Sequence, residues 1–302
     1  MLDVSAKVTT LRQAKAEGFV RISGGALARL QSGDTPKPDV LATARAAGLL
    51  AAKRTPDLVP HCHPIPLEAV VLDLEIQADG VKVRAEVAAV YRTGVEIEAL
   101  CAVQTACLVV YDMLKALDDS MVIDGVRVLE KTGGKTDYEH RVEPGYRAAV
   151  VVASDRVSQG LAKDKSGLWL VDKLKSLGVA EPSYQVLPDD EGRLRQLFLD
   201  LNAQGVDLVI STGGTGLSPR DRTVEALRPV LERELPGAME AARAYGQART
   251  PYALLSRGLA GHRGKTLYAA LPGSLGGVKD SFQALFPGLL HAAHVLAEPV
   301  KA

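Results

Sequence analysis

The residues best suited to chemistry fall into two sets. The sharper one is Ser211-Thr212-Gly213-Gly214-Thr215-Gly216, followed by Ser218-Pro219-Arg220-Asp221-Arg222-Thr223. Glycines let a backbone approach a ligand closely and aim several N–H groups at an anion. A helix after the run adds its positive dipole end, and guanidinium groups pair with phosphate. The same residues also suit a plain strand-to-helix turn with a capping acid. Three further segments follow apolar runs: Ser154-Asp155-Arg156, Pro188-Asp189-Asp190-Glu191 and Leu271-Pro272-Gly273-Ser274. Carboxylates beside a phosphate cradle suit Mg²⁺, which shares oxygen ligands with substrate phosphates.

The second set lies in the first half. Lys37 sits between Pro36 and Pro38, and Lys131-Thr132-Gly133-Gly134-Lys135 forms a loop able to carry ammonium groups to a phosphate. Glu98, Thr105 and Asp112 recur at seven-residue steps, within about 40° of one helical stripe. Lys115 follows Asp112 at pairing distance on that helix. Such a stripe is either a solvent face or a polar pocket. The apolar remainder, Leu100-Cys101-Ala102-Val103 and Ala106 to Val110, favours the pocket, because acids on a buried helix are costly unless paired. Pro60-His61-Cys62-His63-Pro64 has the look of a zinc motif, but adjacent residues cannot easily chelate one ion and only His140 remains as another histidine in this half. A buried Cys62 thiol beside polar histidines is the expected arrangement.

The elements that must position these residues read differently in the two halves. Asp39–Arg54 is expected to be helical, capped by Asp39 and broken by Pro56 and Pro60. Runs 67–78 and 81–92, separated by Asp79-Gly80, predict a hairpin. A long helix follows from Gly94 to about Leu117, then a strand over 122–129. Strands and helices without regular alternation point to an α+β domain with an antiparallel sheet. Residues 136–147 are polar, contain Pro144-Gly145 and read as a linker. Beyond them strands at 149–153, 184–187, 206–211 and 266–271 alternate with helices at 166–177, 192–202 and 223–234, the pattern of an α/β, mostly parallel, doubly wound sheet. In such sheets ligands gather at the carboxyl ends of strands.

The chain has 302 residues, of which 47% are hydrophobic and 4% aromatic. That length suggests two domains with sizeable cores. Residues 1–147 carry 18 basic and 20 acidic side chains, and residues 148–302 carry 18 and 16. Neither half has the charge excess that favours nucleic acid or an anionic membrane, so small-molecule chemistry is the expectation. Three cysteines fit a reducing cytoplasm, and neither a signal peptide nor a membrane span is read.

The order of motifs in the second half, from Ser154-Asp155-Arg156 through Asp164-Lys165-Ser166-Gly167, Pro188-Asp189, Thr212-Gly213-Gly214-Thr215-Gly216, Arg220-Asp221, Leu255-Ser256-Arg257 and Pro272-Gly273-Ser274, resembles the molybdopterin-binding MoaB/MogA family. The resemblance implies binding of molybdopterin and, in the active branch, its adenylylation with Mg·ATP. Asp189 and Asp221 would be the functional acids and hold Mg²⁺. Ser154, Asp155, Thr212, Gly213, Gly214, Thr215, Gly216, Pro272, Gly273 and Ser274 would line the binding site. The alternative is a non-catalytic pterin-binding or oligomerisation module. Leu275 departs from a common proline of the family.

The first half resembles the MoaC family, cyclic pyranopterin monophosphate synthase. The resemblance rests on Asp3 to Lys7, Lys37-Pro38-Asp39-Val40, Ala42 to Gly48, Ala52 to Thr55, Cys62-His63-Pro64, Thr93 to Glu96, Glu98 to Leu100, Tyr111-Asp112-Met113, Lys115-Ala116 and Lys131 to Lys135. It implies a ferredoxin-like α+β fold over 1–137, a linker over 138–147 and the second domain over 148–302. It also implies rearrangement of 3′,8-cyclic-7,8-dihydro-GTP to cyclic pyranopterin monophosphate with loss of pyrophosphate. Lys37 and Lys131 would be the general acid and base, with Asp112 orienting or tuning them. Arg12, Cys62, His63, Glu98 and Lys115 would bind substrate. Tyr91-Arg92 stands where Gly-Lys is usual, and Ile97 replaces a usual Met. Both families imply three-fold symmetry, hence a hexamer, with the first site formed between subunits.

Overall fold

The computed structural model describes residues 1–138 and 142–297. The chain divides into two compact units, Met1–Tyr138 and Glu139–Ala302. His140 lies outside the described residues. The expected linker is largely absorbed into the second unit. Val142 and Tyr146 pack against its core, and the Arg147 N–H donates to Asp207 (2.8 Å).

The first unit runs β1 (Thr10–Arg21), α1 (Gly24–Ser32), α2 (Val40–Lys53), α3 (Thr55–Leu58), β2 (Ala69–Gln77), β3 (Gly80–Tyr91), α4 (Glu96–Leu114) and β4 (Val122–Thr132). Its sheet has the order β2-β3-β1-β4 with every pairing antiparallel, the ferredoxin-like arrangement. The first strand, whose buried positions are mostly small or polar, and the nine-residue first helix are not among the elements expected from the sequence. β1 is nonetheless the inner strand that both β3 and β4 pair with. The hairpin turn falls on Ala78-Asp79, one residue earlier than expected, because Gln77 pairs with Gly80. Gly80 has φ +154°, and a Cβ there would lie 1.9 Å from the Val20 carbonyl oxygen. Only glycine allows β3 to start that close to β1.

Asp39 does not cap α2 through its side chain. It adopts a left-handed conformation (φ 55°), and its carbonyl accepts the Thr43 N–H (2.8 Å). α2 and α4 meet through small residues. A Cβ on Gly48 would come within 2.8 Å of the Ala102 carbonyl oxygen. Helix α4 has 19 residues and is long and apolar enough to cross a membrane by length and composition alone. Here it is the core helix. Ala99, Ala102, Val103, Ala106, Cys107, Val110 and Leu114 are buried against the sheet and α2.

The second unit runs β5 (Ala148–Ala153), α5 (Asp155–Ser158), α6 (Ser166–Ser176), β6 (Ser183–Leu187), α7 (Glu191–Ala203), β7 (Leu208–Thr212), α8 (Thr223–Leu227), β8 (Arg233–Glu234), α9 (Pro236–Gln247), β9 (Leu259–Arg263), β10 (Thr266–Leu271), α10 (Leu275–Leu285) and α11 (Gly288–Ala297). Its sheet order is β6-β5-β7-β10-β9-β8. The first four strands are parallel and the last two antiparallel. Two cores sit on opposite faces, as a doubly wound sheet requires. The helix expected over 223–234 is broken after Leu227. Pro229 has no N–H to continue it, and the chain turns into the edge strand β8.

Candidate functional site

In the first unit the polar residues gather at the two ends of α4. At its N-terminal end a cavity of about 570 Å³ is lined by Lys7, His61, Cys62, His63, Thr93, Glu96 and Glu98, among others. Loop 59–65 brings the histidines and Cys62 there. Lys131, from the end of β4, reaches Glu96 at 3.8 Å and is largely exposed. Arg12 is nearly buried on β1, and its guanidinium donates to the Tyr91 and Arg92 carbonyls (3.3 and 3.4 Å). It therefore holds the β3 end in place from inside the fold. Glu98 is only 3% exposed, and burial pushes its carboxyl above the ordinary carboxylate range, with Glu96 adding to the rise. The Cys62 thiol is half-buried, and burial followed by the Glu98 charge raises it. A thiol in that setting stays protonated and is a poor nucleophile.

At the C-terminal end of α4, Asp112 is ion-paired with Lys37 and with Lys115 (2.8 Å). The two ammonium groups, Lys115 first, lower the Asp112 carboxyl to about 2, and Asp112 raises Lys115 above its ordinary value. Fourteen residues at 1.5 Å each put Glu98 and Asp112 about 21 Å apart along the helix. The expected single polar stripe is therefore two separate clusters within one chain. Asp112 pairs with Lys37 and not with Lys131, which lies beside Glu96 instead. Glu96, two residues before Glu98 in the first helical turn, is a member of the first cluster to which its motif assigned no role.

In the second unit the expected strand-end loops do converge. Gly213 and Gly214 have φ of +96° and +63°. A Cβ on Gly213 would lie 2.2 Å from the Ala153 carbonyl oxygen, and one on Gly214 would meet Thr223 Oγ1 at 2.2 Å and Asp189 Oδ1 at 3.0 Å. Asp189 and Asp155 are cross-linked. The Asp189 N–H donates to Asp155 Oδ1 (3.1 Å), and the Asp155 N–H donates to Asp189 Oδ2 (3.2 Å). Arg220 ion-pairs with Asp155. Asp221 accepts the Ser218 N–H at Oδ2 (2.9 Å), and that oxygen lies 2.8 Å from where a Gly216 Cβ would be.

Asp189 Oδ1 is buried and has no hydrogen-bond partner among the described residues. Burial raises the Asp189 carboxyl, and the Asp155 and Asp221 charges add to the rise. A cation beside these oxygens would relieve that penalty. Among the described residues no three His, Cys, Asp or Glu side chains are grouped to hold a metal ion. The donors present are two carboxylates, one with an unpartnered oxygen. That suits Mg²⁺, which is commonly held by one or two carboxylates plus substrate phosphates.

Several expected binding residues have partners within the protein. The Thr212 hydroxyl donates to the Pro272 carbonyl (2.8 Å). Ser154 and Ser274 cap α5 and α10 by accepting the Val157 and Gly277 N–H groups. Their side chains set the loops, while Gly213, Thr215, Gly216, Pro272 and Gly273 line two cavities. One of about 290 Å³ is lined by Ser154, Lys163, Asp164, Thr212, Gly213 and Gly273. Another of about 380 Å³ is lined by Thr215, Gly216, Pro272, Gly273 and Ser274 together with residues of α9 and α10. Arg257 is a residue whose role the motif did not reveal. It pairs with Glu225 and donates to the Gly216 and Asp221 carbonyls (2.7 and 3.0 Å), fixing both ends of the exposed 217–220 segment.

Residues 1–134 match the model of the MoaC family, and residues 149–291 match that of the probable molybdopterin binding domain. The whole chain is 38% identical over 296 residues to a molybdenum cofactor biosynthesis bifunctional protein of Chlorobaculum tepidum, covering 98% of this chain and 94% of that one. The chain belongs to the family of bifunctional molybdenum cofactor biosynthesis proteins. Its first unit is 54% identical over 136 residues to a cyclic pyranopterin monophosphate synthase of Corynebacterium efficiens, covering 45% of this chain and 88% of that one. Its second unit is similar to the molybdopterin biosynthesis Mog protein of Mycobacterium ulcerans, at 35% identity and a TM-score of 0.49, covering 51% of this chain and all of that one.

Proposed function

We propose that the first unit converts 3′,8-cyclic-7,8-dihydro-GTP to cyclic pyranopterin monophosphate and pyrophosphate. The observation that carries this reading is the pair of lysine–carboxylate clusters, Lys131–Glu96 and Lys37–Asp112–Lys115, one at each end of α4. The reaction needs proton transfer and a cationic clamp for a triphosphate, and lysines serve both ends. With about 21 Å between the clusters in one chain, a complete site takes Lys131 from one subunit and Lys37 from another. A hexamer with three-fold symmetry satisfies that need. The test is complementation: Lys37→Ala and Lys131→Ala are each inactive alone, and co-expression of the two restores activity. No restoration would place each site within one chain.

For the second unit we propose binding of molybdopterin and its adenylylation with Mg·ATP. Bound Mg²⁺ would neutralise phosphate charge as bonds to phosphorus change partners. Asp189 and Asp221 would hold it, the glycine-loop N–H groups would orient the phosphates, and Arg220 would leave Asp155 to pair with them. Supplying the full chain with molybdopterin, ATP and Mg²⁺ tests this. Pyrophosphate release supports the transferase, and tight pterin binding without turnover would leave a binding module. The reading keeps both reactions in a cytoplasmic protein acting on soluble pterins and nucleotides, with no nucleic acid or membrane partner.

A further inference from the structure

Three arginines line a groove of about 580 Å³ beside the glycine loop, and two of them are neutralised. Arg228 pairs with Glu234 (2.7 Å) and Arg257 pairs with Glu225. The third, Arg243 on α9, is half-buried and has neither a carboxylate nor a hydrogen-bond acceptor among the described residues. Arg243 and Met239 also line the neighbouring cavity of about 380 Å³ that opens on Gly216 and Gly273. There the one carboxylate is Asp280, which lies 3.8 Å from Arg249. A half-buried guanidinium without a counter-charge is unfavourable until an anion arrives. Its planar fork matches a phosphate. The rest of the wall, with Met239, Ala242, Leu255, Pro272 and a Tyr252 ring that is 73% exposed, offers apolar surface of a size suited to a flat ring.

We infer that this cavity binds a flat heteroaromatic ligand carrying a phosphate, and that Arg243 is the residue that recognises the phosphate. The inference rests on the proposed function of the second unit and adds the anion partner to it. Two reactants share this chemistry, an adenine nucleotide and molybdopterin, which is itself a phosphate monoester.

The test is calorimetric titration of the full chain with EDTA present, so that carboxylate-bound metal contributes nothing. The ligands are AMP against adenosine, and molybdopterin against phosphatase-treated molybdopterin, with the parent chain, Arg243→Gln and Arg243→Lys. For one of the two pairs, Arg243→Gln should weaken the phosphorylated form about tenfold to a hundredfold, the range for a lost charge-assisted hydrogen bond. The dephosphorylated form should stay within about twofold. The affected pair identifies the source. Arg243→Lys should recover part of the loss, because it keeps the charge but not the fork. If Arg243→Gln does not fold, a loss confined to the phosphorylated form in Arg243→Lys carries the same meaning. Binding by the parent with an unchanged phosphate preference in both variants would overturn this inference alone. A parent that binds none of the four ligands would overturn the proposed function with it.

Discussion

Asp189→Asn should make the second unit more stable while ending the Mg·ATP-dependent transfer proposed for it. One Asp189 oxygen accepts the Asp155 N–H, and the other is buried under Gly214 with no partner among the described residues. Burial first, then the Asp155 and Asp221 charges, raises this carboxyl above its ordinary value of 3.8. A raised carboxyl binds its proton more tightly folded than unfolded. The stability this provides is complete below pH 3.8 and is lost as pH rises through the folded value. At neutral pH the ionised group is therefore a net cost. A buried acceptor without a partner costs about 1–3 kcal/mol. Asp189 is partly open to solvent, so the low end, about 1 kcal/mol, is the appropriate figure.

Asparagine keeps an oxygen for the Asp155 N–H and removes the charge. For a unit of this size about 1 kcal/mol raises Tm by about 2–4 °C. Scanning calorimetry of the full chain at pH 7 without Mg²⁺ should show that rise in the second unit's transition, shrinking as pH is lowered toward the ordinary carboxyl value. Saturating Mg·ATP should then reverse the order, because the parent gains linkage stabilisation that the variant lacks. A variant that is less stable at pH 7, or a difference that ignores pH, would refute the reasoning.

Asp221→Asn keeps the turn with the Ser218 N–H but loses the charge a hard cation prefers. Adenylyl transfer should stop while pterin binding persists, and an unchanged rate against Mg²⁺ concentration would make Asp221 structural. Arg257→Lys cannot reach the Gly216 and Asp221 carbonyls and Glu225 together. Amide exchange over 215–221 should quicken and the Mg·ATP requirement rise, with the far-UV spectrum unchanged. Gly80→Ala places a methyl 1.9 Å from the Val20 carbonyl and should cost at least about 1–3 kcal/mol in urea unfolding. For Asp112, lowered to about 2 by Lys115 and Lys37, the stabilising ion pairs are present above pH 3.8 and are lost as pH falls through about 2. In Asp112→Asn, NMR titration should find the Lys115 amine back toward its ordinary 10.5.

What the sequence revealed depended on how local the signal was. The glycine loop, Asp189 and Asp221 were legible because each comes after a strand of the parallel sheet, and such a sheet brings strand ends to one edge. The hairpin and α4 were legible from β-branched runs around a glycine and from a long apolar stretch. β1 was not, because its alternating buried positions are Arg12, Ala14, Ala16 and Gly18 before Val20, too polar or too small to mark an apolar face. Glu17 is nearly buried and answers to Lys82 and Arg127 on other strands, a pairing that no local window contains. Arg257 stands 41 residues from the Gly216 carbonyl it holds, so its motif was visible and its role was not. The grouping of Glu98 with Asp112 failed for another reason. Angular position on a helix says which face a residue shares, and not how far along the axis its neighbour lies.

That axial distance also determines what an assembly of the first unit must do. One face of α4 is buried by the sheet and α2, and its charged residues, Glu96, Glu98 and Asp112, lie only at its two ends. Neither end alone has both Lys37 and Lys131. If two copies pair about a two-fold axis, residue i of one meets residue j of the other and the reverse, which makes two equivalent sites per pair. Each site then combines one chain's Lys131 end with its partner's Lys37 end. In a Lys37→Ala/Lys131→Ala pair, one site lacks both lysines and the other lacks neither. Random pairing makes half of all pairs mixed, so about a quarter of the parent activity should return on co-expression. A return near zero would mean that one chain supplies both lysines. A return well above about a quarter would mean that one lysine is dispensable.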